Sequence, residues 1–228
     1  MQSIESKTSE ELPSSKLGTR EYWEQFYSKE LENFSDSKDE GEIWFGYNRM
    51  IKVVRWIVHN YTKKDIRILD IGCGNGVFLL ELADEEYQNL FGVDYSDAGI
   101  KLARKIAKEH DKDILYQQAD FLDSSTLRFS TLADNKACFD LCHDKGTYDA
   151  ISLRPNDAKE ARHKYINTLK SILVENGIFI ITSCNWTLTE LKDQFGGDFD
   201  FKADIPAPTF QYGGSTGSTV STAIFVKR

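Results

Sequence analysis

The run Leu69-Asp70-Ile71-Gly72-Cys73-Gly74-Asn75-Gly76 sets an acidic side chain just ahead of three glycines at alternate positions. Glycines at this density let the backbone turn tightly and approach a ligand, and a helix opening after them aims its unpaired N–H groups at that ligand. A dinucleotide loop reads G-x-G-x-x-G, which seats a pyrophosphate on the helix start. Here the third glycine comes one residue early. The Asp70 carboxylate would also repel a pyrophosphate, whereas it suits an ammonium group. Asp94, eighteen residues after Gly76, can hold both hydroxyls of a ribose, with Tyr95 beside it. Asp120 can bond an adenine amino group, and Phe121 can cover the base.

These residues act together only if the fold brings them together. Arg67 to Ile71 is a short apolar run ending in the glycines and reads as a buried strand; Val77 to Ala83 reads as a helix and Leu90 to Asp94 as a second strand. Ser96 can cap a helix whose inner face holds Leu102, Ala103 and Ile106, and Asp113 to Gln118 is a third strand. Ala137 to Cys142 is a fourth. Asp157 and Glu160 have capping-box spacing before a helix bearing Tyr165, Leu169, Ile172 and Leu173; Asn176-Gly177 is a helix-stop or turn signal, and Ile178 to Thr182 a fifth strand. Alternating strands and helices predict an α/β, Rossmann-like parallel sheet covered on both faces. The β-rich runs Thr209–Tyr212 and Val220–Val226, joined across Gly213 to Gly217, predict an antiparallel C-terminal hairpin, so the sheet is mixed. Asp70, Asp94 and Asp120 then stand at or beside the C-terminal ends of successive parallel strands, where open α/β sheets bind ligands. The pocket they describe takes adenosine joined to an amino acid, without phosphate. S-adenosylmethionine fits it, and Asn75 within the loop is a further candidate for binding it.

Ahead of this core, Thr19 is a candidate cap for a helix carrying Tyr22, Trp23, Phe26 and Tyr27, a stripe that serves either as core packing or as a lid on the cofactor. A second helix sets Tyr47, Met50, Ile51, Val54 and Val58 on one side, and Trp44-Phe45 before it can reach the cofactor. Residues 1–16 are polar and serine-rich and read as a disordered tail; 17–228 form one domain.

Twenty-eight basic against thirty-six acidic side chains give a net charge of −8 in 228 residues, which argues against nucleic acid as a direct partner. No apolar run approaches the roughly 18–20 residues of a membrane span. The four cysteines have neither zinc-site pairing nor the density of a disulfide scaffold, so no metal is expected, and reduced thiols place the chain in the cytoplasm.

The sequence resembles the seven-stranded, class I S-adenosylmethionine-dependent methyltransferases over about Leu17 to Arg228, and more narrowly the METTL10-type lysine methyltransferases of eukaryotic elongation factor 1-alpha. The glycine loop marks only the superfamily. The narrower likeness rests on Lys16 to Trp23, Gly41 to Phe45, Asp144 to Leu153, Ile181 to Trp186 and Phe210 to Gly214. It implies S-adenosylmethionine as donor, S-adenosylhomocysteine as product, and a lysine ε-amine of elongation factor 1-alpha as acceptor; separately, the chain is expected to be a monomer. It also implies the methionine end of the cofactor on Asp70, Gly72, Gly74 and Gly76, the ribose on Asp94, and the adenine on Asp120 with Phe121. Two departures are His143, where relatives tend to carry an apolar residue, and a variable stretch at Ser124–Lys136.

A lysine amine with a pKa of about 10.4 must lose a proton before it attacks a sulfonium methyl, so the enzyme must desolvate and orient it. Asp144, at the end of the fourth strand, is the candidate catalytic carboxylate; the alternative is a cap on the Lys145-Gly146-Thr147 turn. Asn185 and Trp186, ending the fifth strand, are candidates for the lysine channel, Trp186 equally a packing residue. The fourth strand does not lead into Asn/Asp-Pro-Pro-Tyr, the turn of enzymes that methylate planar nitrogens. Cys138 and Cys142 read as core thiols, and a lone His143 carries little.

Overall fold

A computed structural model of the chain describes residues 11–129, 138–207, 210–212, 215–217 and 220–228. β1 (Arg67–Ile71), β2 (Asn89–Asp94), β4 (Phe139–Lys145) and β5 (Leu173–Ser183) are largely buried, as expected of strands covered on both faces, and β3 (Leu115–Gln118) is a half-exposed edge strand; all five are parallel. β6 (Phe199–Asp204) and β9 (Ser221–Lys227) complete a seven-stranded sheet of order β3-β2-β1-β4-β5-β9-β6, with β9 antiparallel to both neighbours. The order reverses between β1 and β4, which opens a crevice above their C-terminal ends.

Helices cover both faces. α1 (Arg20–Ser37) starts where the Thr19 side chain accepts from Tyr22 N, and α4 (Asp97–Glu109) where Ser96 Oγ accepts from Gly99 N. α2 (Tyr47–Asn60), α3 (Val77–Asp84) and α4 bury Ile57, Leu79 and Ala103 against Leu141 and Ile180 of the sheet. On the other face, α5 (Thr147–Ser152), α6 (Ala158–Ile172) and α7 (Leu188–Phe195) close over Tyr148, Tyr165, Phe179, Phe195 and Phe225. Burying side chains of this size is worth about 1.5–3 kcal/mol each, so this aromatic face anchors the sheet's C-terminal half. Cys138 and Cys142 are buried in it.

Four sequence expectations change. The mixed sheet and its antiparallel C-terminal end stand, but the strand partners differ. Phe210–Tyr212 is β7 and pairs with β8 (Ser215–Gly217) as a separate two-stranded ribbon, whereas β9 enters the main sheet beside β6, a strand that the polar run Phe199–Asp204 did not announce. Residues 11–16, expected as tail, lie against the domain: Glu11 pairs with Arg162 at 2.7 Å, Leu12 packs on the aromatic core, and Ser15 N donates to Leu153 O. Asp157 precedes α6 but makes no side-chain cap, because Arg154 holds its carboxylate at 2.7 and 2.9 Å; the capping box belongs to Thr187 and Glu190 on α7. Asn176, in left-handed backbone (φ 60°), does not end the segment but sits in an irregular stretch of β5. Residues 1–10, the 130–136 part of the variable stretch, and Thr209, Gly213 and Gly214 of the expected hairpin lie outside the described residues.

Candidate functional site: the crevice above β1, β2 and β4

The glycine loop leaves β1 and enters α3 through left-handed backbone at Gly72 (φ 66°) and Gly74 (φ 52°). Both positions also demand the absence of a side chain. A Cβ at Gly72 would overlap Thr147 Oγ1, which donates to Ile71 O at 2.8 Å, and a Cβ at Gly74 would overlap the Tyr27 hydroxyl. The loop is pinned from β2: Asp94 Oδ2 accepts from Gly74 N at 3.0 Å and Oδ1 from Ser96 N at 2.8 Å. Burial pushes the Asp94 carboxyl up to about 6, although those two amides hold it lower than burial alone would.

Above the loop opens a cleft. Gly72, Asn75, Asp94, Tyr95, Asp120 and Phe121 line it, as does Trp44 from the α1–α2 connection. Asn75 ties that connection down by donating from Nδ2 to the Glu40 and Glu42 carbonyls at 3.0 and 3.5 Å. Trp23 and Tyr27 also reach the wall, and the Trp23 and Trp44 rings meet at 4.7 Å, so the aromatic stripe of α1 is a cover as well as packing. Asp120 Oδ1 accepts from Leu122 N, and Phe121 turns one side to the cleft and the other to Tyr165 at 5.0 Å.

Asp70, Gly74 and Gly76 stand behind the wall. Asp70 is buried, and its Oδ1 lies 2.7 Å from His143 Nδ1 on the neighbouring strand. His143 stacks on Phe78 at 3.7 Å, and its Nε2 meets no partner among the described residues.

The expected mouth is built differently. Asp144 is fully buried and does not border the cleft. Its carboxylate accepts from Thr147 N at 2.9 Å, from Tyr148 N at 3.0 Å and from the Tyr165 hydroxyl at 2.6 Å. Burial, the largest influence, pushes it up to about 8. Asp144 therefore caps α5 from below, the alternative that its sequence position left open. Its side chain follows Cys142 onto the aromatic face of the sheet, because successive strand residues alternate. Asn185 and Trp186 also miss the cleft: Ser183 Oγ and Cys184 N both donate to Asp149, folding the turn after β5 inward. Trp186 is buried, with Nε1 donating to Ser152 Oγ.

Sequence reasoning passed over several wall residues, among them Lys145, Arg20, Glu42, Thr147 and Arg154. Lys145 and Thr147 flank Asp144 by one and three residues, and strand alternation was the signal that could have chosen Lys145 over its neighbour. The donor set fits S-adenosylmethionine: acidic acceptors and an aromatic ring at one end, and a lysine ammonium with the glycine loop at the other.

The model of the methyltransferase domain family matches residues 62–219. EEF1A lysine methyltransferase 2 of Danio rerio is 45% identical over 218 residues, covering 95% of this chain and 90% of that protein. The protein-lysine N-methyltransferase EFM4 of Saccharomyces cerevisiae is 36% identical, covering 96% and 97%. Among solved structures, the N-methyltransferase NodS from Bradyrhizobium japonicum, in complex with S-adenosylhomocysteine, superposes with a TM-score of 0.63 at 18% identity, covering 90% of this chain and 98% of its own, a likeness of fold. Loop, sheet order and whole-length relatives agree: the chain belongs to the S-adenosylmethionine-dependent methyltransferases, in the family of EEF1A lysine methyltransferase 2.

Proposed function

We propose that this protein transfers a methyl group from S-adenosylmethionine to a lysine ε-amine of translation elongation factor 1-alpha, acting in the cytoplasm as a monomer. The observation that carries this reading is identity across almost the whole chain, 43% over 224 residues with the Mus musculus protein named EEF1A lysine methyltransferase 2. The site is compatible with it. Bound S-adenosylmethionine supplies an electrophilic methyl on a sulfonium, and the chain has only to bind, align and dry the two reactants.

In this reading Asp94 accepts from the ribose hydroxyls, and Asp120 with Phe121 holds the adenine. The glycine loop carries the methionine end, and Asp70 supports that end from behind, with its carboxylate fixed by His143. The aromatic wall of Trp23, Tyr27 and Trp44 excludes water where an ammonium must shed its proton. Asp144 is assigned to the support of α5 rather than to the reacting atoms.

The test is transfer of labelled methyl from S-adenosylmethionine into fractionated cell extract, followed by mass-spectrometric mapping of the site. A dominant methyl-lysine in elongation factor 1-alpha is the expected result. Label in other proteins, RNA or small molecules would overturn the acceptor. No label, with S-adenosylhomocysteine binding intact, would make the chain a non-catalytic binding module.

A further inference from the structure

Three cationic side chains border the cleft: Arg20, Arg154 and Lys145. Two are already engaged, and both stand at the end carrying Tyr95 and Asp120. Arg20 donates to Tyr95 O at 3.0 Å and lies over the Tyr95 ring, and Arg154 is held in a two-pronged pair with Asp157. Lys145 stands at the opposite end. It continues β4 one residue past Asp144 and precedes Gly146, whose amide donates to Thr182 O. Its side chain falls on the same side of the strand as His143, toward Asp70 and the glycine loop, and the charges that act on it are those of Asp70, Asp144, Cys73 and Glu42.

None of those groups bonds it. Among the described residues no hydrogen bond or ion pair reaches the Lys145 Nζ, and burial pulls its ammonium below the usual lysine range. Lys145 is half-buried, and a partly desolvated, unpaired cation in a cavity wall is a cost that a ligand anion would remove. The ligand of this family brings one such group, an α-carboxylate, at the end opposite the adenine.

We propose that Lys145 binds the α-carboxylate of S-adenosylmethionine and S-adenosylhomocysteine, and that this contact makes the cleft select adenosyl ligands carrying a whole amino acid over those lacking the carboxylate. The proposal rests on the cofactor reading above and adds a residue that sorts ligands by one functional group. Lys145 touches the ligand away from its sulfur and is a specificity residue.

The experiment is calorimetric titration of the full-length protein with S-adenosylhomocysteine and with S-adenosyl-3-thiopropylamine, which lacks only the carboxylate. The unaltered protein should prefer S-adenosylhomocysteine by tenfold or more, about the worth of one charge-assisted hydrogen bond. Lys145→Met should weaken S-adenosylhomocysteine by about tenfold to a hundredfold while leaving the decarboxylated ligand within about twofold, and Lys145→Arg should keep most of the preference. Equal affinity of the unaltered protein for both ligands overturns the proposal without need of a variant. Equal losses for both ligands in Lys145→Met overturn it as well, since a general disturbance of the wall does not read a carboxylate. If the unaltered protein binds neither ligand, the cofactor reading falls and this inference with it.

Discussion

Asp94 and Asp144 are two carboxylates at the C-terminal ends of parallel strands, both buried and both accepting from backbone amides of neighbouring turns. By position each is a candidate for work on a ligand, yet they end on opposite sides of the sheet. Asp94 bonds Gly74 and Ser96 and still borders the cleft. Asp144 bonds Thr147, Tyr148 and Tyr165 and borders only protein. The difference lies in what covers the strand end. Beyond β2 the crevice stays open, whereas beyond β4 the short helix α5 folds straight over the acid. A carboxylate at a strand end becomes a ligand group only where the next element leaves it a window.

The two can be told apart by what their loss damages. Asp144→Ala strands three buried donors and should cost about 3–5 kcal/mol of stability, read by urea unfolding. Asp144→Asn keeps an acceptor for Thr147 and Tyr148, and it should fold and turn over at near the normal rate per folded molecule. A collapse of turnover in a stable Asp144→Asn protein would return the residue to the chemistry. Asp94→Ala should act on the ligand instead, weakening S-adenosylhomocysteine by about 1.5–3 kcal/mol in calorimetry. Retained affinity would remove Asp94 from the ribose.

Their proton affinities sharpen the contrast. Asp94 titrates at about 6 in the ligand-free protein, and accepting from two hydroxyls requires the carboxylate. Affinity for S-adenosylhomocysteine should therefore be flat above pH 6 and fall as pH drops below it, by up to about tenfold per unit. Asp144 acts on folding. Its folded value of about 8 stands above the roughly 3.9 of an unfolded aspartate, so between those limits the native state holds a proton that the unfolded chain has released. Its contribution to stability is full below about pH 4 and is lost as pH rises toward 8. Asp144→Asn should remove that slope from urea unfolding measured across pH 5 to 8.5. The smallest effect is expected from Tyr165→Phe, which deletes one of the three donors to Asp144 and should cost about 1 kcal/mol while leaving ligand affinity unchanged.

Much of this was readable in the chain. The positions of the glycine run, Asp94 and Asp120-Phe121 were legible because they follow from chain order: each lies at or just after a strand, and the strands had to be parallel. The caps at Thr19 and Ser96 were legible for a similar reason, since a cap acts within three residues. The failures share a different cause. Asp157 looked like a cap, but Arg154 took its carboxylate. β6 is a polar run with two phenylalanines, and its place in the sheet comes from β9, which arrives more than sixteen residues later. Asn185 and Trp186 follow the end of β5 by two and three residues, yet Asp149 draws that turn toward the core.

The sequence by itself determined the five parallel strands, the caps of α1 and α4, the glycine loop and the chain positions of the acids that follow it, because apolar periodicity, capping and glycine backbone freedom act over a few residues. Only the tertiary structure decided which strand-end residues face the cleft. It put Lys145 on the wall and Asp144 beneath α5, brought Trp23, Tyr27 and Trp44 over the loop, and drew Glu11 onto Arg162. Adjacent residues on a strand point to opposite faces, and the face that stays open depends on how distant helices pack across the sheet, a choice no short window of sequence contains.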